Sequence, residues 1–115
     1  MNPSHTKEAW AEYMREWRRK NPDLARSNDL KKRFGITLDE WNRMLDEQQG
    51  VCKLCSQPET KLDHRTKQPR RLAVDHCHKT GKVRALLCSD CNTAIGLLKE
   101  DVELMKKAIE YVSGA

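Results

Sequence analysis

Apolar residues near the start of the chain recur at the spacing of a helix. They form a stripe of Trp10, Tyr13, Met14 and Trp17. Their separations of three and four positions place them on one face of an amphipathic helix. Ser4 is a candidate cap for this helix, and Asn21-Pro22 should end it, because the residue before a proline avoids the helical conformation. The pattern favours a core or docking surface for the stripe over a base-stacking surface.

Two further helices are predicted before residue 50. One follows Pro22 and ends at Gly35. The run Thr37-Leu-Asp-Glu40 has the form of a capping box, and it opens a third helix that closes near Gly50. These helices define a basic N-terminal extension over residues 1–47.

The remaining residues, 48–115, predict a second domain that mixes strands and helices. Residues 71–75 and 82–87 have the composition of two short strands, joined by a turn around Thr80-Gly81. Apolar residues at helical spacing then predict one helix or two consecutive helices over 93–112, with a break near Glu100-Asp101. The chain is therefore assigned to the α+β class.

The charge balance of the chain favours a polyanionic partner. Its 115 residues include 22 Lys and Arg against 17 Asp and Glu, which gives a net charge of +5. Basic side chains placed on phosphates release condensed counterions, so nucleic acid is the favoured partner. No apolar run approaches the roughly 18 residues that span a bilayer, and the first ten residues lack a secretory hydrophobic segment. We expect a cytoplasmic protein without membrane contact, in a compartment where thiols stay reduced.

Cysteine spacing predicts a structural zinc site. Cys52 and Cys55 form one C-x-x-C knuckle, and Cys88 and Cys91 form another. Two knuckles supply four sulfur ligands, which close a tetrahedral zinc site and leave no position for water. A disulfide framework is less consistent with a compartment in which thiols stay reduced. A thioredoxin-like redox pair would need only one of the two knuckles. The fifth cysteine, Cys77, lies outside the pattern and is interpreted as a packed residue or a reactive thiol.

A polar constellation lies between and beside the knuckles. Asp75 ends the first predicted strand, His76 and His78 come just after it, and Asn92 comes directly after the last knuckle cysteine. In one interpretation the histidines replace cysteines on the zinc or merely occupy turns. In another, the carboxylate and amide oxygens bind Mg²⁺ and an imidazole deprotonates water, which suits phosphodiester hydrolysis.

The motifs together resemble the bacteriophage recombination endonuclease VII family, a branch of the His-Me finger nucleases related to HNH endonucleases. The resemblance is carried by Gly50-Val-Cys52-Lys-Leu-Cys55 and by Val74-Asp75-His76-Cys77-His78-Lys-Thr-Gly81-Lys-Val-Arg84-Ala-Leu-Leu-Cys88-Ser-Asp-Cys91-Asn92-Thr-Ala-Ile-Gly96. It covers about residues 48–98. It implies a small zinc-stapled ββα-metal core with N-terminal basic helices and a C-terminal helix.

The resemblance also implies a role for each polar residue. His76 would be the general base, Asp75 and Asn92 would bind a catalytic Mg²⁺ or Mn²⁺, and His78 would orient the site or contact the scissile phosphate. Arg84 would contact phosphate or support the fold. Ile95, three residues after Asn92, presents an apolar side chain where a relative could place an acidic one, so two protein ligands are expected.

Three functions are consistent with these patterns. The favoured one is a metal-dependent DNA endonuclease that nicks DNA or cuts it structure-selectively, as a monomer or a homodimer. The others are a non-catalytic zinc-containing DNA-binding module and a zinc domain that docks proteins through the aromatic stripe. The cations expected to contact DNA are Arg18, Arg19, Lys32, Arg33, Lys82 and Arg84.

Overall fold

The computed structural model describes residues 6–114 and confirms the α+β class. Its elements are α1 (Lys7–Lys20), α2 (Pro22–Phe34), α3 (Leu38–Glu47), β1 (Ala73–His76), β2 (Val83–Leu87), α4 (Ser89–Leu97) and α5 (Val102–Val112). Ser4, the expected cap of α1, lies outside the described residues. Thr6 caps α1 instead, since its side-chain oxygen accepts a hydrogen bond from the N–H of Ala9. Within residues 6–114, none of the helices has the length and apolar character needed to span a membrane.

The chain divides into two compact units, Met1–Arg43 and Met44–Ala115. In the first unit, Leu30, Ile36 and Trp41 are buried, and the Arg26 guanidinium lies 4.3 Å from the centre of the Trp41 ring. Glu40 donates its N–H to the Thr37 hydroxyl oxygen at 3.1 Å, as the predicted capping box requires. The Glu40 carboxylate, however, accepts from that hydroxyl rather than from the Thr37 backbone.

The aromatic stripe of α1 is only partly covered. None of the α1 residues, 7–20, is buried: Trp10 and Tyr13 are exposed, with ring centroids 5.6 Å apart, and Met14 and Trp17 are half-buried. A regular apolar stripe therefore does not by itself predict a buried face, because periodicity reports a face and not what covers it.

The second unit is built on an antiparallel hairpin and the helix that follows it. β1 pairs with β2 so that Ala73 is opposite Leu87 and Val74 is opposite Leu86. Leu86 is fully buried and, with Val74 and Leu72, forms the core of this unit. A single residue, Cys88, separates β2 from α4, so the hairpin and α4 form a continuous β-β-α segment.

The predicted C-terminal helical region is two helices, α4 and α5. α4 begins at Ser89, earlier than expected, because the Cys88 sulfur accepts a hydrogen bond from the N–H of Cys91 and caps the first turn. The break falls where expected. Glu100 has a left-handed backbone (φ 55°), and the Asp101 carboxylate caps α5.

Gln48 attaches the segment after α3 to the hairpin. Its side-chain oxygen accepts the N–H of Leu86 at 2.9 Å, and its amide nitrogen donates to the carbonyls of Leu86 and Val51, both at 2.9 Å. The side chain thus pairs with Leu86 as a neighbouring strand would. This contact fixes the start of the first knuckle against β2.

Gln48→Ala should lower the free energy of unfolding by about 1–3 kcal/mol, because it leaves the buried N–H of Leu86 without a partner. Urea unfolding of the zinc-loaded protein measures the change. Gln57→Ala is the matched control, since Gln57 is exposed. Equal stability of the two variants would contradict the prediction.

Candidate metal centre and adjoining polar site

The four knuckle cysteines converge, as the sequence predicted. The Sγ atoms of Cys52, Cys55, Cys88 and Cys91 all lie within 4.8 Å of one another, and those of Cys55 and Cys88 are 3.9 Å apart. Sulfurs about 2.3 Å from a tetrahedral zinc lie about 3.8 Å apart, so this cluster fits zinc. The group contains neither His76 nor His78, which leaves no support for histidine as a ligand in place of a cysteine.

The local backbone prepares the cluster for a cation. Burial opposes ionisation of Cys52, but hydrogen bonds from the backbone N–H groups of Cys55, Cys88 and Leu54 outweigh it and lower the pKa of this thiol to about 6. Burial and the adjacent thiols raise the pKa of Cys91. The Cys52 thiol therefore ionises readily, whereas the neighbouring Cys91 thiol does not. A bound divalent cation would favour ionisation of both, because its charge offsets the repulsion between the thiolates.

A β-bulge places Arg84 against Asp75. The register pairs Asp75 with Ala85 and His76 with Val83, so Arg84 opposes no residue of β1. Its Nε donates to Asp75 Oδ2 at 2.6 Å and its Nη2 donates to Oδ1 at 2.9 Å. Asp75 is only 8% exposed. This bidentate hydrogen bonding raises the pKa of Arg84 and ties the end of β1 to β2.

The same guanidinium reaches a second carboxylate. Arg84 Nη2 also donates to Glu100 Oε1 at 2.8 Å and to the carbonyl oxygen of His76 at 3.2 Å. Burial of the Glu100 carboxyl is outweighed by hydrogen bonds from Arg84 and from the backbone N–H of His78, which lower its pKa. Arg84 thus joins β1, β2 and the junction between α4 and α5. Glu100 was not identified as a site residue from the sequence, whose only signal there was the helix break.

The two histidines lie side by side at the end of β1. His76 is its last residue, and the ring centroids of His76 and His78 are 5.0 Å apart with an angle of 62° between the planes. His76 is half-buried, whereas His78 is exposed, with Nδ1 3.8 Å from Glu100 Oε1. An imidazole accessible to solvent can accept a proton. The carboxylates of Asp75 and Glu100 are of the type that can bind a divalent cation.

Asn92 lies in the first turn of α4, directly after the second knuckle. It is exposed, and its backbone N–H donates to the carbonyl of Cys88 at 3.0 Å. Ile95, three residues later, lines a cleft that Asp75, Arg84 and Glu100 also line, but Asn92 is not among the residues lining it. Asn92 and Ile95 share a face of α4, because residues three apart in a helix are neighbours.

The other cations predicted to contact DNA are at the surface. Arg19 forms an ion pair with Glu16, and Arg33 with Asp29 at 3.5 Å. The predicted DNA-contacting cations that are exposed include Arg18, Arg19, Lys32 and Arg33 in the first unit and Lys82 in the second.

Cys77, the cysteine outside the cluster, is half-buried. Hydrogen bonds from Thr80 and from the backbone of Lys79 lower the pKa of its thiol.

These features define an α+β protein in which a four-cysteine cluster that could hold a zinc ion joins a β-hairpin to the helix that follows it. The chain belongs to the recombination endonuclease VII family, whose profile matches residues 27–114. The resemblance drawn from the motifs is thereby confirmed. α1 lies outside the matched residues.

Two phage proteins are similar to the chain. The Gene 59 protein of Mycobacterium phage L5 is 36% identical over 103 residues, which cover 89% of this chain and 58% of that protein. The Gene 59 protein of Mycobacterium phage D29 is 39% identical over 80 residues, which cover 69% of this chain and 44% of that protein. The chain thus spans about half the length of these curated relatives. No solved structure matches it significantly.

Proposed function

We propose that the protein is a Mg²⁺- or Mn²⁺-dependent DNA endonuclease with a ββα-metal (His-Me finger) core formed by β1, β2 and α4. The observation that carries the proposal is the position of Asp75 and His76, at the end of a strand that packs against the helix anchored by the cysteine cluster. Membership of the endonuclease VII family supports the same activity.

The cysteine cluster acts as a scaffold in this proposal. Four sulfurs complete the coordination of a zinc ion, so no position remains for water or substrate. The zinc is therefore structural, and a different ion is required for hydrolysis.

Asp75 and Asn92 are the proposed ligands of that second ion. Arg84 occupies two hydrogen-bonding positions of the Asp75 carboxylate, and about two others remain for a cation. Support for Asn92 comes from Ile95, which lines the cleft containing Asp75 and lies one turn after Asn92 on α4. Oxygen ligands of this kind suit Mg²⁺ and Mn²⁺. When bound, the ion supplies stabilisation of the negative charge that develops on the phosphate and on the departing 3′ oxygen.

His76 is the proposed general base. It is half-buried at the strand end and adjacent to Asp75, so its imidazole can accept a proton from a water molecule aligned with the phosphorus. His78, exposed and 5.0 Å away between ring centroids, contacts the scissile phosphate or orients the water. The products carry 5′-phosphate and 3′-hydroxyl ends.

Basic side chains outside the site bind the DNA backbone. Among the predicted DNA-contacting cations, Lys82 is the nearest along the chain to the proposed base, and it is exposed at the hairpin turn. Arg84 supports the site through its ion pairs and is able to contact phosphate with its exposed part. The surface cations of α1 and α2 add sequence-independent affinity. They are Arg18, Arg19, Lys32 and Arg33.

The proposal is tested by cleavage of supercoiled plasmid with the zinc-loaded protein. We expect nicked product with Mg²⁺ or Mn²⁺, and no cleavage when the divalent ion is omitted at the same zinc content. Product ends mapped by ligation and phosphatase treatment should show 5′-phosphates. A zinc-loaded, folded protein that leaves the plasmid intact in both metals would contradict the proposal.

A non-catalytic zinc-containing DNA-binding module is the second candidate. It is favoured by the two hydrogen bonds from Arg84 to the oxygens of Asp75, because the guanidinium competes with any metal ion for that carboxylate. Binding of DNA that is the same with and without Mg²⁺, in the absence of cleavage, would support this candidate over the endonuclease.

A further inference from the structure

Glu100 is a carboxylate fixed at the edge of the proposed site by the end of α4. Its backbone N–H donates to the carbonyl of Ile95 at 3.1 Å, and its left-handed conformation (φ 55°) turns the chain between α4 and α5. The side chain is only 16% exposed. The end of α4 therefore sets the position of the Glu100 backbone, and the low exposure of the side chain restricts its conformations.

The Glu100 carboxylate contacts two residues of the hairpin. One oxygen accepts from Arg84 Nη2 at 2.8 Å, and the other accepts from the backbone N–H of His78 at 3.4 Å. Arg84 Nη2 is the same atom that donates to Asp75 Oδ1 at 2.9 Å. A single guanidinium nitrogen is thus shared between Asp75 and Glu100.

The two carboxylates that share Arg84 determine the net charge around Asp75. Arg84 alone would neutralise Asp75, and a neutral site attracts a divalent cation weakly. Glu100 adds a second negative charge, so the group of two carboxylates and one guanidinium keeps a net charge of −1. Ile95 contributes no charge on the α4 side of the cleft, so Glu100 supplies the extra carboxylate from the helix end.

We propose that Glu100 is a positioning residue of the nuclease site, which holds Arg84 and the His78 backbone in place and offsets the charge of Arg84 so that Asp75 can accept a divalent cation. Glu100 acts through Arg84 and is not itself a ligand. This inference rests on the proposed function, because it assigns Glu100 to the metal site of the same reaction.

Glu100→Gln tests the inference, since it keeps the shape of the side chain and removes its charge. Binding of Mn²⁺ to the full-length, zinc-loaded protein is measured by electron paramagnetic resonance of the free ion, and plasmid cleavage is measured over the same Mn²⁺ series. We expect Kd for Mn²⁺ to rise about three- to tenfold, the order expected when one partly solvated charge is removed near a divalent ion. The Mn²⁺ concentration for half-maximal cleavage should rise in parallel.

Glu103→Gln is the matched control. Glu103 is in the first turn of α5, is 78% exposed and pairs only with Lys106 among the described ion pairs. It should leave Kd within twofold of wild type. Thermal unfolding of both variants shows whether the fold is retained.

The route through Arg84 is tested by a double-mutant cycle. In an Arg84→Met background, Glu100→Gln should raise Kd by a smaller factor than it does in wild type, because Glu100 then has no guanidinium to hold in place or to offset. Arg84→Lys serves the same purpose if the methionine variant does not fold, since lysine cannot make the bidentate contact.

The outcomes separate the two proposals. A wild-type protein that neither binds Mn²⁺ nor cleaves DNA overturns both. A wild-type protein that does both, while Glu100→Gln has the same Kd as Glu103→Gln, overturns only the role of Glu100. An equal effect of Glu100→Gln in both Arg84 backgrounds overturns its action through Arg84.

Discussion

His76→Ala is expected to reduce the rate of DNA cleavage by about 10²–10⁴-fold, the usual contribution of a positioned general base. His76 is the last residue of β1, it directly follows Asp75 in the chain, and it is half-buried. Alanine removes the proton acceptor and leaves the cysteine cluster and Asp75 in place. Zinc content and DNA affinity should therefore equal those of wild type.

Single-turnover nicking of supercoiled plasmid at saturating Mg²⁺ measures this effect without a contribution from product release. His64→Ala is the control, because His64 is an exposed turn residue of the same type. If His76→Ala cleaves at the rate of His64→Ala, the water is activated by another group and the proposed mechanism is wrong.

Cys88→Ser is expected to unfold the second unit, Met44–Ala115, rather than to slow the reaction alone. Cys88 is buried, belongs to the four-cysteine cluster and caps α4 with its sulfur. Structural zinc contributes roughly 10–16 kcal/mol in zinc-finger peptides, and native domains are stable by about 5–15 kcal/mol. If the missing ligand abolishes zinc binding, the free energy lost is comparable to the whole stability of a small unit.

Far-UV circular dichroism and the zinc content per chain measure the loss. Cys77→Ser is the matched control for folding, because Cys77 is outside the cluster, and it should keep one zinc per chain and a cooperative transition. A Cys88→Ser protein that unfolds cooperatively at the wild-type temperature would show that the cluster is not what holds this unit together.

The sequence predicts those parts of the molecule that depend on local spacing. The knuckles at Cys52-Cys55 and Cys88-Cys91 converge because a two-residue gap brings two sulfurs to one side of a turn. The helix break near Glu100 was predicted for a similar reason, since polar residues interrupt an apolar repeat there. Such signals lie within a few residues of the feature they specify.

The contacts that complete the site join distant positions and leave no local signal. Gln48 pairs with Leu86 across 38 residues, and Arg84 reaches Glu100 across 16. The second contact also depends on a bulge, which shifts the register by one residue and cannot be derived from alternation alone. The surface position of the α1 stripe has the same origin, since helical spacing defines a face but not its partner.

In the proposed mechanism a closed zinc site holds the fold and a separate site binds a harder cation. Anomalous difference maps from a crystal of the zinc-loaded protein soaked in MnCl₂, recorded on both sides of the zinc edge, locate both ions. We expect a zinc peak among the four cysteine sulfurs and a manganese peak bound by Asp75 and Asn92. A manganese peak in the cysteine cluster, or none in contact with Asp75 at saturating Mn²⁺, would contradict it.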